Sequence, residues 1–100
     1  MDYSPRYGRF RALLREMREE AGLSQSVLAA KLRKPQTFVS KSELGERRVD
    51  FLETVDFCAA CRMTVEQFMA RLNRAGIQAE TPRPKRLSPR RMDNRGRLVR

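Results

Sequence analysis

Only two residues, Arg33 and Lys34, separate Leu32 from Pro35, and each side of that gap carries the marks of a helix. Ser24 is a favourable N-cap for the segment before it, with Leu28, Ala29 and Leu32 as its buried set. Pro35 fits the first position of the segment after it, where its missing N–H is not needed. Two helices joined this tightly at a steep angle have the helix-turn-helix geometry.

The flanking sequence adds three more helices. Phe10, Leu13, Leu14, Met17 and Ala21 form one apolar stripe, with Arg11, Arg15, Glu16, Arg18 and Glu19 mostly outside it, and Gly22 stops the helix. The third helix should end near Leu44, with Gly45 as its left-handed cap. Asp50 and Glu53 have capping-box spacing for a fourth helix, whose inner face is expected from Phe51, Leu52, Val55, Cys58, Ala59 and Cys61. Thr64 and Gln67 repeat that spacing for a fifth, which uses Val65, Phe68, Met69 and Leu72 before Gly76. No hairpin signal interrupts the pattern, so the expected fold is all-α. Boundaries follow from the same pattern: an N-terminal arm over 1–9, the helical domain over 10–76, and a tail over 77–100.

Charge narrows the function. The chain carries 22 basic and 12 acidic residues, a net +10. This favours a polyanionic partner, nucleic acid first and an anionic membrane surface next. From Glu80 onward eight basic residues face two acidic ones, among three prolines and little apolar content, so the tail is expected to be flexible. No apolar run approaches 18 residues and the first ten lack a signal-peptide stretch, which points to the cytoplasm. Histidine is absent, and Cys58 and Cys61 cannot by themselves complete a four-ligand zinc site. They read as small buried hydrophobes. With no histidine base and no paired carboxylates, neither catalysis nor a cofactor is expected.

The third helix, within "KPQTFVSKSELGERR", has too few apolar residues for a core element. Val39 is its main anchor, Ser42 lies on the same side and Phe38 flanks them. The other face presents Gln36, Thr37, Ser40 and Lys41. Glutamine can pair with adenine, lysine can donate to guanine, and the threonine methyl can touch thymine.

These features together resemble the phage-repressor, Cro/cI-type (XRE-like) helix-turn-helix family over residues 10–70. "LREMREEAGLSQSVLAAKL" is similar to the family's first two helices, and "PQTFVSKSELGERR" to its recognition helix and following loop. The resemblance implies a five-helix bundle that binds operator DNA, usually as a dimer, to regulate transcription. Carried over by position, Gln25 is where the family touches a phosphate and braces the recognition helix. Gln36, Thr37, Ser40 and Lys41 match positions that read bases or nearby phosphates. Arg47 and Arg48 match loop positions that grip the backbone, and Glu43 matches a structural acid, with Arg47 or Arg48 as its expected partner. Two departures stand out. Ser42 replaces a larger apolar residue, so loose packing is expected beneath the helix. Arg62 replaces a common glycine after the fourth helix.

The expected activity is therefore sequence-specific binding of double-stranded DNA by a homodimeric transcriptional repressor. Two rivals belong to other classes. One is an antitoxin or other protein-interaction module that engages a protein partner through the tail. The other is a basic RNA-binding protein, weakened because Tyr3, Tyr7 and the phenylalanines follow a helical core pattern.

Overall fold

The computed structural model describes residues 4–77, which form five helices: α1 (Pro5–Glu20), α2 (Gln25–Leu32), α3 (Gln36–Leu44), α4 (Phe51–Ala60) and α5 (Val65–Arg74). The all-α bundle with a helix-turn-helix is as the sequence implies. Both termini of the chain, including the tail expected to be flexible, lie outside the described residues.

Local capping sets most helix starts. Ser24 Oγ accepts from Val27 N, and the boxes at Asp50/Glu53 and Thr64/Gln67 are closed in both directions. Pro35 differs from expectation. It is the N-cap of α3, with φ −67° and ψ 156°, and Gln36 is the first helical residue. Proline's fixed φ suits both positions, and only ψ separates them. α1 begins at Pro5 behind a Ser4 cap, so residues 5–9 form its first turns and Tyr7 is buried.

Each helix is followed by one residue in the left-handed region: Gly22, Arg33, Gly45, Arg62 and Gly76. At Arg62, φ is 58°, and Met63 N donates to Cys58 O at 2.9 Å, so the cap forms without glycine. Gly45 has no such latitude. A Cβ there would come 2.9 Å from Arg11 Cζ, at φ +86°. Arg11 is held in place because its Nη1 donates to Glu43 O at 2.8 Å.

The core joins Leu13, Leu14, Met17, Leu28, Ala29, Val39, Phe57, Cys58, Cys61 and Phe68. α1 packs on α3 and α5, and α4 packs on α2 and α5. On α4 the inward face is Thr54, Phe57 and Cys58, with Cys61 buried at the C-cap; the two cysteines are as expected, whereas Thr54 and Phe57 were not in the expected set. Phe51 and Leu52 point outward, at 64% and 72% exposure, and Ala59 is exposed as well. On α5, Phe68 is buried but Met69 is exposed. Ser42 is fully buried and hydrogen-bonded. Its hydroxyl donates to Phe38 O at 2.7 Å and accepts from Arg47 Nη1 at 3.4 Å.

Both cysteines are free and buried. Burial raises the Cys58 thiol and pushes Cys61 up to about 11, so both remain protonated and unreactive near neutral pH. Alanine at both positions should cost about 1 kcal/mol each in urea unfolding and leave DNA affinity unchanged. In the folded protein a chromogenic disulfide reagent should label neither thiol rapidly. Fast labelling of the native state would contradict the buried placement.

Candidate nucleic-acid interface

The turn between α2 and α3 is fixed by backbone bonds. Arg33 caps α2 in the left-handed region, and Lys34 N donates to Ala29 O at 2.9 Å. α3 then leaves with Val39 and Ser42 buried, while Gln36, Thr37 and Lys41 are exposed and Ser40 is half-buried. This matches the division of faces expected from sequence. Ser40 Oγ donates to Thr37 O at 3.3 Å, which ties that hydroxyl to its own helix.

A chain of polar contacts runs from the interior to the first residue of α3. Arg18 Nε and Nη2 donate to the Glu43 carboxylate at 2.6 and 3.0 Å, and Arg18 Nη1 donates to Leu23 O. The two side chains are only 10% and 5% exposed. Glu43 Oε1 also accepts from Gln25 Nε2 at 3.0 Å, and Gln25 Oε1 accepts from Gln36 Nε2 at 2.9 Å. A doubly bonded, nearly dry guanidinium–carboxylate pair is rigid, so it anchors two surface amides in turn. Gln25 and Gln36 are thus brought together. Gln36 keeps one N–H and its carbonyl oxygen, the donor and acceptor that a bidentate adenine contact requires.

Glu43 was expected to pair with Arg47 or Arg48, and the structure corrects this to Arg18. Arg18 was read as lying outside the apolar stripe, yet it is buried. A signal was present, because Phe10, Leu14 and Arg18 fall on one i, i+4 row. Glu43 supports α3 because it reaches inward across 25 residues of sequence to α1.

The two loop arginines behave differently. Arg47 donates Nη1 and Nη2 to Glu53 at 3.0 and 2.9 Å, and its Cζ lies 4.2 Å from the centre of the Phe38 ring. Phe38 stacks on Phe57 in turn. Arg48 is exposed, with Cζ 4.7 Å from the Tyr7 ring centre, and Tyr7 Oη accepts from Val49 N at 3.0 Å. Tyr7, Arg11 and Glu53, none of them among the sequence-derived site residues, therefore hold the segment around the loop after α3.

The Arg47 guanidinium holds the Glu53 carboxyl below its ordinary value of 4.5, with the Asp50 N–H adding to the effect against a cost of burial. A lowered folded pKa stabilises the fold above the unfolded pKa, and that contribution disappears as pH falls through the folded value. Glu53→Gln keeps an acceptor for Asp50 N but cannot titrate. At neutral pH it should be less stable than wild type by about 1 kcal/mol. Urea unfolding should show that gap closing as pH drops below the ordinary carboxylate range. A gap that persists in acid would place the effect in packing instead.

Among the described residues, no group of three or more histidine, cysteine, aspartate or glutamate side chains could hold a metal ion. No helix among them is long and apolar enough to cross a membrane. Comparison with curated proteins finds no match. Residues 9–70 match the family model described as a helix-turn-helix domain. A solved structure, an XRE-family like protein from Pseudomonas syringae pv. tomato str. DC3000, is 41% identical with a TM-score of 0.65, over 70% of this chain and 85% of that one. With the fold and the exposed polar face of α3 in place, these matches show that the chain belongs to the XRE-like helix-turn-helix DNA-binding family, whose members are not enzymes.

Proposed function

We propose that the protein is a cytoplasmic transcriptional repressor that reads an operator in double-stranded DNA through α3, as a homodimer. The observation that carries this reading is the Gln25–Gln36 pair, tied to the buried Arg18–Glu43 ion pair. It orients an amide at the first turn of an exposed helix before any DNA arrives, which reduces the ordering cost of a base contact. In this reading Gln36 addresses an adenine, Thr37 a thymine methyl, and Lys41 a guanine or a nearby phosphate. Gln25, Ser40 and Arg48 contact the backbone, and Arg47 supports the loop that carries Arg48. Repression follows from occupancy: a protein seated in the major groove of a promoter excludes polymerase.

Selection of bound sites from a random duplex library tests this reading. The expected product is an inverted repeat with half-sites about 34 Å, one helical turn, apart. Failure to enrich any sequence would move the reading to a protein-interaction module such as an antitoxin.

In this proposal the domain that reads DNA is the expected 10–76 unit extended at its start by the first turns of α1 from Pro5, and the basic segment beyond it neutralises phosphates. Deleting residues 80–100 should make the dependence of log K on log salt shallower, by about 0.9 for each phosphate that the segment neutralises. Preference among sequences should hardly change. An identical slope with and without the segment would exclude it from the DNA complex.

A further inference from the structure

Three arginines that reach across the fold end on carboxylates: Arg18 on Glu43, Arg47 on Glu53 and Arg71 on Glu20. Arg11 does not. Among the described residues its guanidinium meets a single acceptor, Glu43 O at 2.8 Å, and no carboxylate. Its Nε is buried with no hydrogen-bond partner, whereas Nη2, also without one among the described residues, is not enclosed in that way. The half-buried side chain is pinned by that bond and by Gly45, where a Cβ would come 2.9 Å from Arg11 Cζ. α1 thus holds a cation against the last turn of α3. A helix cap needs one N–H and no charge. A guanidinium has five N–H groups and a fixed charge. Placing it partly out of water without a counter-ion is unfavourable, and a second cation adds to that cost. Arg11 and Arg48 share the Tyr7 ring, with Cζ 6.0 and 4.7 Å from its centre. An anion at Arg11 would relieve both costs, and a planar fork of N–H groups suits the oxygens of a phosphate.

We propose that Arg11 binds a DNA phosphate at the C-terminal end of α3. The inference rests on the DNA-binding reading above and adds a contact from α1, outside the helix-turn-helix itself. Its place in the fold suits the role, because Glu43 and Gly45 close α3 and the loop that follows carries Arg48. One guanidinium bonds α3 through Nη1 and the phosphate through its remaining open N–H groups. The contact therefore ties the DNA backbone directly to α3. It sets the depth and angle at which α3 enters the groove and carries no base preference of its own.

Titration of DNA binding against salt tests the assignment on the full chain, with Arg11→Gln and Arg11→citrulline beside wild type on one scrambled duplex. Both replacements remove the charge and keep a donor for Glu43 O. Citrulline also keeps the shape of arginine, so it preserves the fold even if glutamine loosens α1 from α3. Each variant should lower the slope of log K against log salt by about 0.9, the loss of one phosphate contact. An Arg11 that only caps α3 predicts the wild-type slope in folded Arg11→citrulline, and that result overturns the proposal. Single methylphosphonate linkages, which remove one phosphate charge at a time, locate the contact on the selected operator. Wild type should lose affinity at one linkage in each half-site where Arg11→citrulline does not. Equal sensitivity of the two proteins at every linkage overturns the assignment. The salt series needs no operator, so the two readings fail separately. A wild type that binds DNA without sequence preference overturns the operator reading and leaves the slope comparison decisive for Arg11.

Discussion

Glu43→Ala should remove about 3–5 kcal/mol of stability, the cost of leaving one member of a buried ion pair without its partner. Marginal domains hold roughly 5–15 kcal/mol in total, so this one substitution removes a large share. The Arg18 guanidinium would remain among apolar neighbours with only Leu23 O to accept from it, and the Gln25 amide would lose its acceptor. Arg18→Met should cost a similar amount, because it strands a carboxylate that is 5% exposed. The double variant Arg18→Met/Glu43→Leu separates charge from packing. Replacing a buried pair by apolar side chains of similar volume is often close to neutral, so the double variant should be much more stable than the sum of the single losses predicts. Urea unfolding of the three variants measures this coupling. Additive losses would mean that the two residues act independently, against the geometry. The stable double variant also tests the functional link. It should keep its affinity for scrambled DNA while discriminating less well, since Gln25 no longer has Glu43 to hold it.

The second large effect concerns reading itself. Gln36→Ala should weaken binding to the best operator by about 1–3 kcal/mol and relax preference at one position in each half-site. Lys41, further along α3, should show the same signature at a different position if it meets a base. Arg48→Ala should instead weaken all duplexes about equally and lower the salt slope by about 1. Gln25→Ala should have a mixed signature, because Gln25 braces Gln36 and, in the proposed reading, contacts the DNA backbone. If Gln25 meets a phosphate as proposed, the variant should lose part of the discrimination and part of the salt dependence together. Titrations on matched and scrambled duplexes at two salt concentrations distinguish these outcomes. If Gln36→Ala weakens matched and scrambled DNA alike, α3 is not reading bases through that side chain.

Some of this architecture is local and therefore legible in the sequence. Helix ends depend on bonds between residues three or four apart, and Ser24, Asp50 with Glu53, Thr64 with Gln67, and Gly45 cap where their spacing indicates. The two-residue gap between Leu32 and Pro35 similarly marked two closely joined helices, and the left-handed cap at Arg33 sets the turn between them. The polar face of α3 followed from composition, since Gln36, Thr37 and Lys41 have little apolar surface to bury.

The tertiary structure decided what each helix presents to its neighbours. Arg18 and Glu43 are 25 residues apart, and only the docking of α1 on α3 brings them within 2.6 Å. From sequence, Arg18 lay outside the apolar stripe and Glu43 was expected to pair with Arg47 or Arg48. Arg47 and Arg48 are adjacent and chemically alike, yet one is clamped by Glu53 on Phe38 and the other lies exposed over Tyr7. On α4, a helix with apolar residues on several sides, periodicity put Phe51 on the inner face and left out Phe57, and the structure reverses the two. Phe57 went inside because the ring of Phe38 meets it there, whereas Phe51 lies at the helix start, beyond the reach of the core. Caps are settled within one turn of chain, but burial depends on partners brought in from distant sequence, and no spacing within a single helix encodes them.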